Sequence, residues 1–405
     1  MLRENERKLS DYSDKNKYVF VKRDGRTYCF YMERGELAEI DVEDASGASL
    51  LHSVYVGRVQ SIARNLNAAF IEYEKGKVAY LDLAGVDGSC VLNRQNAKSP
   101  AQGDELIIQI VKEPHKTKDA VASTRITLSG TYVVVSSEKT TINFSHKLDE
   151  AFCKKLMGYV KKVQKEQEMP LGAIIRTNAR TLDEEHFPIL ADEMRSLWDT
   201  LSDILKKGRT RKACTCLYKE HSFVENKCKD IPIGQTDLVV TDDAAIYETL
   251  QKFKSLPSLF YQDSSVSLFG LLRLGKELEE ACAKRVWLPC GGYLVIEVTE
   301  ALSVIDVNSG KCTAKKSKDD LVTLVNGQAA EEAMRQIRLR NLSGIILIDF
   351  MKYDDPGKEQ KLISDVRALA KKDKVQTDVV DLTQLGLLEL TRKKISRTLY
   401  EKLRG

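Results

Sequence analysis

The sequence predicts an α+β protein of several domains, with a small β-barrel in its first third. Three observations lead there. At 405 residues the chain is long enough for about two to four domains of roughly 100–200 residues each. Between residues 50 and 118, short alternating runs follow one another closely, punctuated by Gly57, Gly76, Gly85, Gly88 and Gly103. That density suits a small barrel such as an OB-fold. From residue 283 onward, apolar strand runs alternate with helical stretches.

Residues 1–17 are charged and expected to be loose or weakly helical. Residues 18–42, YVFVKRDGRTYCFYMERGELAEIDV, alternate around Asp24-Gly25, a strong hairpin signal, and predict the first strands of a sheet. Ala45-Ser46-Gly47-Ala48-Ser49 reads as a linker. VYVGRVQSIA, AAFIEYEKGKVAYLDL and DELIIQIVKE supply the barrel strands. Here Tyr55, Phe70 and Tyr80 are interleaved with Arg58, Arg64, Lys75, Lys77 and Lys112. On an OB-type face, such aromatics stack bases while basic groups follow the phosphates. In a plain barrel, Phe70 is core and the lysines are solvated. Both readings stand at this point.

Residues 119–215 mix strands and helices. TRITLSGTYVVVS is strand-like, and LDEAFCKKLMGYVKKVQKEQ is helical with Phe152, Leu156, Val160 and Val163 on one side. GAIIRT is a short strand ending in Arg176 and Thr177. LDEEHFPILADEMRSLWDTLSDILKK reads as a long amphipathic helix interrupted at Pro188. It ends in the basic run KKGRTRK, either a nucleic-acid contact or a solvated loop. DLVVTD is a strand, while AAIYETLQKFKSL and LFGLLRLGKELEEACAK are helices. A strand pair follows, then a helix over 319–340, a strand over 345–349, a helix over 358–372, a strand over 376–382 and a terminal helix.

Composition narrows the class. With 42% apolar and 30% charged residues the chain is globular rather than disordered. The net charge of +4 allows a nucleic-acid partner without demanding one. No apolar run approaches the roughly 18–20 residues that span a bilayer, and MLRENERKLSDYSDKNK has no apolar signal-peptide core. The nine cysteines are scattered, which suits free thiols in a reducing cytoplasm, the expected location. Cys214-x-Cys216 lacks a second pair at zinc-site spacing, so these read as structural thiols.

The informative stretch is 291–350. SVID and IILID are apolar runs ending in Asp306 and Asp349. On neighbouring strands the two carboxylates can share one divalent cation, with Asn308 adding a carbonyl oxygen. Such oxygen ligands suit Mg²⁺, which keeps several waters and takes one or two carboxylates. Alternatively both are ordinary strand-end residues that cap turns.

VWLPCGGYLVIEVTEALSVIDVNSG, QAAEEAMRQIRLRNLSGIILIDF and LGLLELTRKKIS resemble the ribonuclease E/ribonuclease G family of bacterial endoribonucleases, over about residues 18–403. VYVGRVQSIARNLNAAFIEY resembles the start of the family's S1 domain, and VKEPHKTKDAVASTRITLSGTYVVV its continuation. The resemblance implies a ribonuclease H-like subdomain built from 1–49 and 216–282. It also implies an inserted S1 (OB-fold) barrel over 50–118, a 5′-sensor region over 119–215, and a DNase I-like α/β catalytic subdomain over 283–405. It further implies Mg²⁺ (with Mn²⁺ as substitute) held by Asp306 and Asp349 with Asn308 assisting, and hydrolysis of single-stranded RNA. Phe70, Tyr80, Lys112 and Lys118 fall where the family's S1 domain grips RNA. Gly130, Val134, Arg176 and Thr177 match the 5′-monophosphate pocket. Arg338 and Arg340, just before the Asp349 strand, either bind phosphate or pair with acids.

Three departures bear on mechanism. The family's Cys-x-x-Cys zinc link has no counterpart before Gly405, so no structural zinc is expected and any homo-oligomer forms without it. A second pocket arginine is replaced by Gln376, which supplies donors without charge, so 5′-monophosphate discrimination is expected to be weakened. Lys352 stands where the family has an acid, three residues after Asp349. An RNA-binding protein of this fold with little catalysis is the rival reading.

Overall fold

The computed structural model describes residues 9, 11–43, 50–114, 118–138, 141–166, 169, 172–219, 222–263, 265–312 and 318–404. The expected linker at 45–49 and residues 1–8 and 10 of the charged N-terminal stretch lie outside the described residues. The chain divides into two units, one of Ala48–Gln235 and one of Met1–Gly47 with Thr236–Gly405.

In the Ala48–Gln235 unit, strands Val54–Ala63, Ala68–Glu74, Lys77–Asp82, Ala120–Ser123 and Glu105–Lys112 pair in that order. The last pairs back onto the first, closing a five-stranded barrel consistent with an OB-fold. The strands alternate: Val59, Ile71, Ala79, Leu81, Leu106, Ile108 and Ile110 point into the barrel core. The closing strand Ala120–Ser123 begins just beyond residue 118, the expected end of the barrel segment. Strand Thr215–Tyr218 pairs with Val54–Ala63, so residues 215–218 belong to this sheet. Buried Gln109 ties the barrel to the next strand: its amide donates to the His52 and Thr127 carbonyls and its oxygen accepts from Thr127 N–H. That four-stranded sheet contains Thr127–Ser129, Val133–Ser136, Gly172–Ile175 and Ile142–Phe144.

Helix Glu150–Glu166 buries Leu156, Val160 and Val163. The next helix, Phe187–Gly208, is not interrupted at Pro188 but starts there. Proline is tolerated in a first helical turn, where its missing N–H has no partner to lose. The preceding LDEEH forms only a short 3₁₀ turn, Glu184–His186.

The other unit contains two sheets. The first has the order Ser258–Phe260, Leu238–Thr241, Lys17–Arg23, Arg26–Glu33, Glu36–Val42. Asp24 and Gly25 both take positive φ (51° and 73°), the backbone of a two-residue hairpin turn, as their sequence predicts. Arg34 and Gly35 repeat it at 52° and 84°, making a third strand. The stretch LFGLLRLGKELEEACAK, expected as one helix, breaks at Arg273 (φ 51°) into Leu268–Leu271 and Leu274–Cys282.

The second sheet has six strands in the order Arg285–Trp287, Tyr293–Val298, Leu302–Asn308, Gly344–Asp349, Leu388–Arg392, Thr377–Leu382. Helices Lys318–Leu339 and Pro356–Ala370 cover one face, packing Val325, Ala329, Ile337 and Val366 against Leu294, Ile305, Ile346, Ile348 and Leu390. The alternate residues of these strands form the other face. Strand Leu388–Arg392, inserted antiparallel beside Gly344–Asp349, was not among the expected elements. Among the described residues, no helix is long and apolar enough to cross a membrane.

Candidate catalytic centre and nucleic-acid interface

The Asp306 and Asp349 strands are parallel neighbours, and the two aspartates are register partners. On Leu302–Asn308 the inward positions Ser303, Ile305 and Val307 are buried; on Gly344–Asp349 they are Ile346 and Ile348. Period-two alternation therefore turns both aspartates to the same face, away from the helices, where both are exposed. Neighbouring strands lie about 4.8 Å apart, so the carboxylates stand side by side. Asn308 points the same way two residues on, and its amide donates to Asp306 Oδ2 at 2.7 Å. The sequence-predicted trio is thus assembled.

Gly292 makes the close approach at Asn308 workable, beside a left-handed turn at its neighbour. Gly291 takes φ 89°, and a Cβ at Gly292 would lie 2.8 Å from the Asn308 carbonyl oxygen. Asn326, missed in the sequence, supports the other strand. It is fully buried on helix Lys318–Leu339, donates to the Met351 carbonyl at 2.7 Å and accepts from Met351 N–H at 3.1 Å. It thereby fixes the backbone two residues after Asp349. The available signal was a polar residue within the apolar stripe of Val322, Val325 and Ala329, since a buried amide needs partners.

The donor set fits Mg²⁺: two carboxylates and one amide, leaving room for waters. Among the described residues there is no cluster of three or more His, Cys, Asp or Glu able to hold a metal. Burial raises the Cys214 and Cys216 pKa values, disfavouring the thiolate that a metal needs. Lys352 is exposed and lines a cavity of about 190 Å³ with Phe350, Met351, Tyr353, Leu382 and Gln384, at the carboxyl end of the Asp349 strand. Arg338 and Arg340 serve the fold. Arg338 pairs with Glu33 at 3.2 Å. Arg340 is buried and donates to Gln336 and the Ala283 carbonyl; burial lowers its pKa to about 10.

On the barrel, Phe70, Tyr80, Val121 and Lys112 form one register row across four strands. The Phe70 and Tyr80 rings meet edge-on with centroids 6.2 Å apart. Neither belongs to the barrel core, which takes their neighbours Ala69, Ile71, Ala79 and Leu81. The core reading of Phe70 is thereby set aside. Lys112 is exposed at the end of its strand, and Lys118 is exposed just before strand Ala120–Ser123.

The remaining predicted residues lie around the four-stranded sheet. Arg176 donates to the Gly130 carbonyl and to Asp230 Oδ1, each at 2.5 Å. Thr177 shares a 2.9 Å hydrogen bond with Ser145. Val134 pairs with Ile174 in the sheet and lines a shallow cleft there. Glu193, unanticipated, accepts from the N–H groups of Thr131, Tyr132 and Val133 at 2.7, 2.8 and 3.2 Å. Burial raises its pKa, against the pull of those three bonds and Arg176. Its carboxylate packs against Gly130, where a Cβ would collide with it. Gln376, in the other unit, bonds Asp378 at 2.9 Å.

Comparison with known proteins identifies the family. Residues 127–395 match the Ribonuclease E/G family. The chain is 29% identical over 390 residues to Ribonuclease G of Escherichia coli (strain K12), covering 92% of this chain and 78% of that protein. It is 29% identical over 372 residues to Ribonuclease E of a Synechocystis strain, covering 88% and 54%. It is 26% identical over 400 residues to Ribonuclease G of Haemophilus influenzae, covering 92% and 78%. With its family match spanning well over half its length, the chain belongs to the ribonuclease E/G family.

Proposed function

We propose that the protein is a Mg²⁺-dependent endoribonuclease that hydrolyses phosphodiester bonds in single-stranded RNA, in cytoplasmic RNA processing or decay. The observation that carries the reading is the register pairing of Asp306 with Asp349 on an exposed sheet face, with Asn308 bonded to Asp306. Asp306 and Asp349 would hold Mg²⁺, with Mn²⁺ as a substitute. When bound, the ion supplies an acidified water and neutralises charge on the phosphate. The chain's own part is positioning. Asn308 orients the Asp306 carboxylate, and Asn326 anchors the backbone beyond Asp349. The products would be 5′-phosphate and 3′-hydroxyl ends.

Phe70 and Tyr80 would stack bases of the strand while Lys112 and Lys118 meet its phosphates. The five-stranded sheet draws its strands from both sides of the Ala48–Gln235 unit, which supports reading it as the ribonuclease H-like subdomain. The six-stranded sheet would be the DNase I-like one. Weakened 5′-monophosphate sensing is supported by Asp230, whose carboxylate engages Arg176 and opposes an incoming phosphate. A preference of tenfold or more for 5′-monophosphorylated over 5′-hydroxyl RNA, about 1.4 kcal/mol, would sink that part of the reading.

A second reading, RNA binding with little catalysis, rests on Lys352, an exposed cation three residues beyond Asp349 at a position that the family resemblance leads one to expect to be acidic. One experiment separates the two. Purified protein and an Asp306→Asn/Asp349→Asn variant are incubated with an AU-rich single-stranded RNA and Mg²⁺. Cutting by the wild type alone supports hydrolysis; binding by both with cutting by neither defeats it.

A further inference from the structure

The open face of the six-stranded sheet carries a feature the cleavage chemistry does not use. Trp287 is 59% exposed, although tryptophan is among the most apolar side chains. It pairs in register with Tyr293, and their rings meet edge-on with centroids 5.3 Å apart. The Arg285 guanidinium lies over the Tyr293 ring at 4.5 Å and 5.8 Å from the Trp287 ring centroid. Arg285 has no acidic partner among the described residues, and it is exposed.

Register fixes which face this cluster occupies. Tyr293 pairs with Asn308, Val295 with Asp306, and Arg285 with Val295. The intervening Leu294 and Ile296 are buried under the helices. Trp287, Arg285 and Tyr293 therefore share the face of Asp306, Asn308 and Asp349. Two strand spacings across and two residues along put Trp287 about 12 Å from Asp306. That is roughly two nucleotides of an extended strand.

We propose that Trp287, braced by Tyr293, is a stacking platform for an RNA base close to the scissile phosphate, and that Arg285 meets the adjoining phosphate. The proposal rests on the endoribonuclease reading. An exposed indole beside an unneutralised guanidinium suits this occupant: every base has a π-face, and the linking phosphate carries the complementary charge. A purely apolar partner would leave Arg285 desolvated without a counter-charge.

The chain's two tryptophans, Trp198 and Trp287, provide the probe. In a Trp198→Phe protein the only indole is Trp287. Its emission is followed as a short AU-rich single-stranded RNA is added in EDTA, where no cutting occurs. Quenching that saturates is expected. Cleavage kinetics with Mg²⁺ are then measured for wild type, Trp287→Ala and Trp287→Phe on the parent RNA and on versions made abasic at each position flanking the cut. Trp287→Ala should lower kcat/KM about tenfold on the parent. It should have no effect on the RNA abasic at one particular position within about two nucleotides of the cut. Trp287→Phe should restore most of the loss.

An equal penalty at every abasic position overturns the platform, as does an unquenched Trp287 in a protein that still cuts. The same holds if Trp287→Ala leaves kcat/KM unchanged and instead dissolves a dimer seen by sedimentation. If the wild type binds RNA without cutting it, the endoribonuclease reading itself fails, and the platform falls with it.

Discussion

Phe70→Ala separates a nucleic-acid face from an ordinary barrel core, because the two predict opposite magnitudes. Truncating a core phenylalanine costs about 3–5 kcal/mol of stability. Phe70 lies outside the barrel core, and its ring meets that of Tyr80 edge-on at 6.2 Å. Such a pair contributes about 0.5–1.5 kcal/mol. The expected loss of stability is therefore about 1 kcal/mol. A base stacked on an aromatic contributes about 1–3 kcal/mol, so the RNA Kd should rise roughly 5- to 150-fold. Anisotropy of a labelled single-stranded RNA in EDTA gives the Kd, at one fixed salt concentration because phosphate contacts make binding salt-dependent. Urea unfolding of the same preparations gives the stability. A loss of 3 kcal/mol or more with an unchanged Kd for the folded protein would refute the reasoning.

Three further outcomes follow from the geometry. Asp230→Asn removes the carboxylate that occupies Arg176 at 2.5 Å; the pair is partly exposed, so the preference for 5′-monophosphorylated RNA should rise by only about two- to fivefold. Paired cleavage rates on 5′-monophosphorylated and 5′-hydroxyl substrates measure it, and a fall would contradict the assignment. Asn326→Leu leaves the Met351 N–H and carbonyl without partners, which costs about 1–3 kcal/mol in urea unfolding and should also slow cleavage; full activity with lowered stability would remove Asn326 from the positioning role. Arg392→Met strips the buried Asp373 of its cation and should cost about 3–5 kcal/mol near neutral pH. Burial works to raise the Asp373 pKa, but Arg392, the Val375 N–H and the Thr377 hydroxyl outweigh it and hold the carboxyl below 3.8. Its contribution is thus present above pH 3.8 and lost as pH falls through the depressed folded value. Acid unfolding curves should accordingly converge for wild type and Arg392→Met at low pH, and a constant gap would count against the pair.

Much of the site was legible because it depends on local pattern. The apolar runs ending in Asp306 and Asp349 marked two strand-end acids, with Asn308 two residues beyond the first. Asp24-Gly25 announced its turn because glycine and aspartate tolerate positive φ. What stayed hidden depends on contacts between distant segments. Whether Arg338 and Arg340 bind phosphate or pair within the fold stayed open in the sequence, and Glu33, Gln336 and the Ala283 carbonyl answer it. The bond from Arg176 to Asp230 joins residues 54 apart. Glu193, on a helix, fills backbone N–H groups some 60 residues away. Pro188 misled for a different reason: proline ends a helix from within but begins one at the first turn, and sequence periodicity alone did not locate that turn.

The pairing of the two acids is itself a product of register. Sliding one strand by one residue would drive its aspartate into the core and expose an isoleucine, so burial of Ile305, Val307, Ile346 and Ile348 forbids it. A slide of two residues keeps the inward face apolar and would go unpunished by hydrophobicity, yet it would set Asp306 beside Leu347 and separate the carboxylates. Something polar must exclude that alternative. Asn326 does so through its two bonds to Met351, which tie the axial position of the Asp349 strand to helix Lys318–Leu339. That helix directly links the two strands in sequence. The open face then inherits a single alignment, in which Asp349, Asp306, Asn308, Tyr293 and Trp287 follow one another across four adjoining strands. A strand of RNA laid across the sheet would meet the acids and the aromatics in that order.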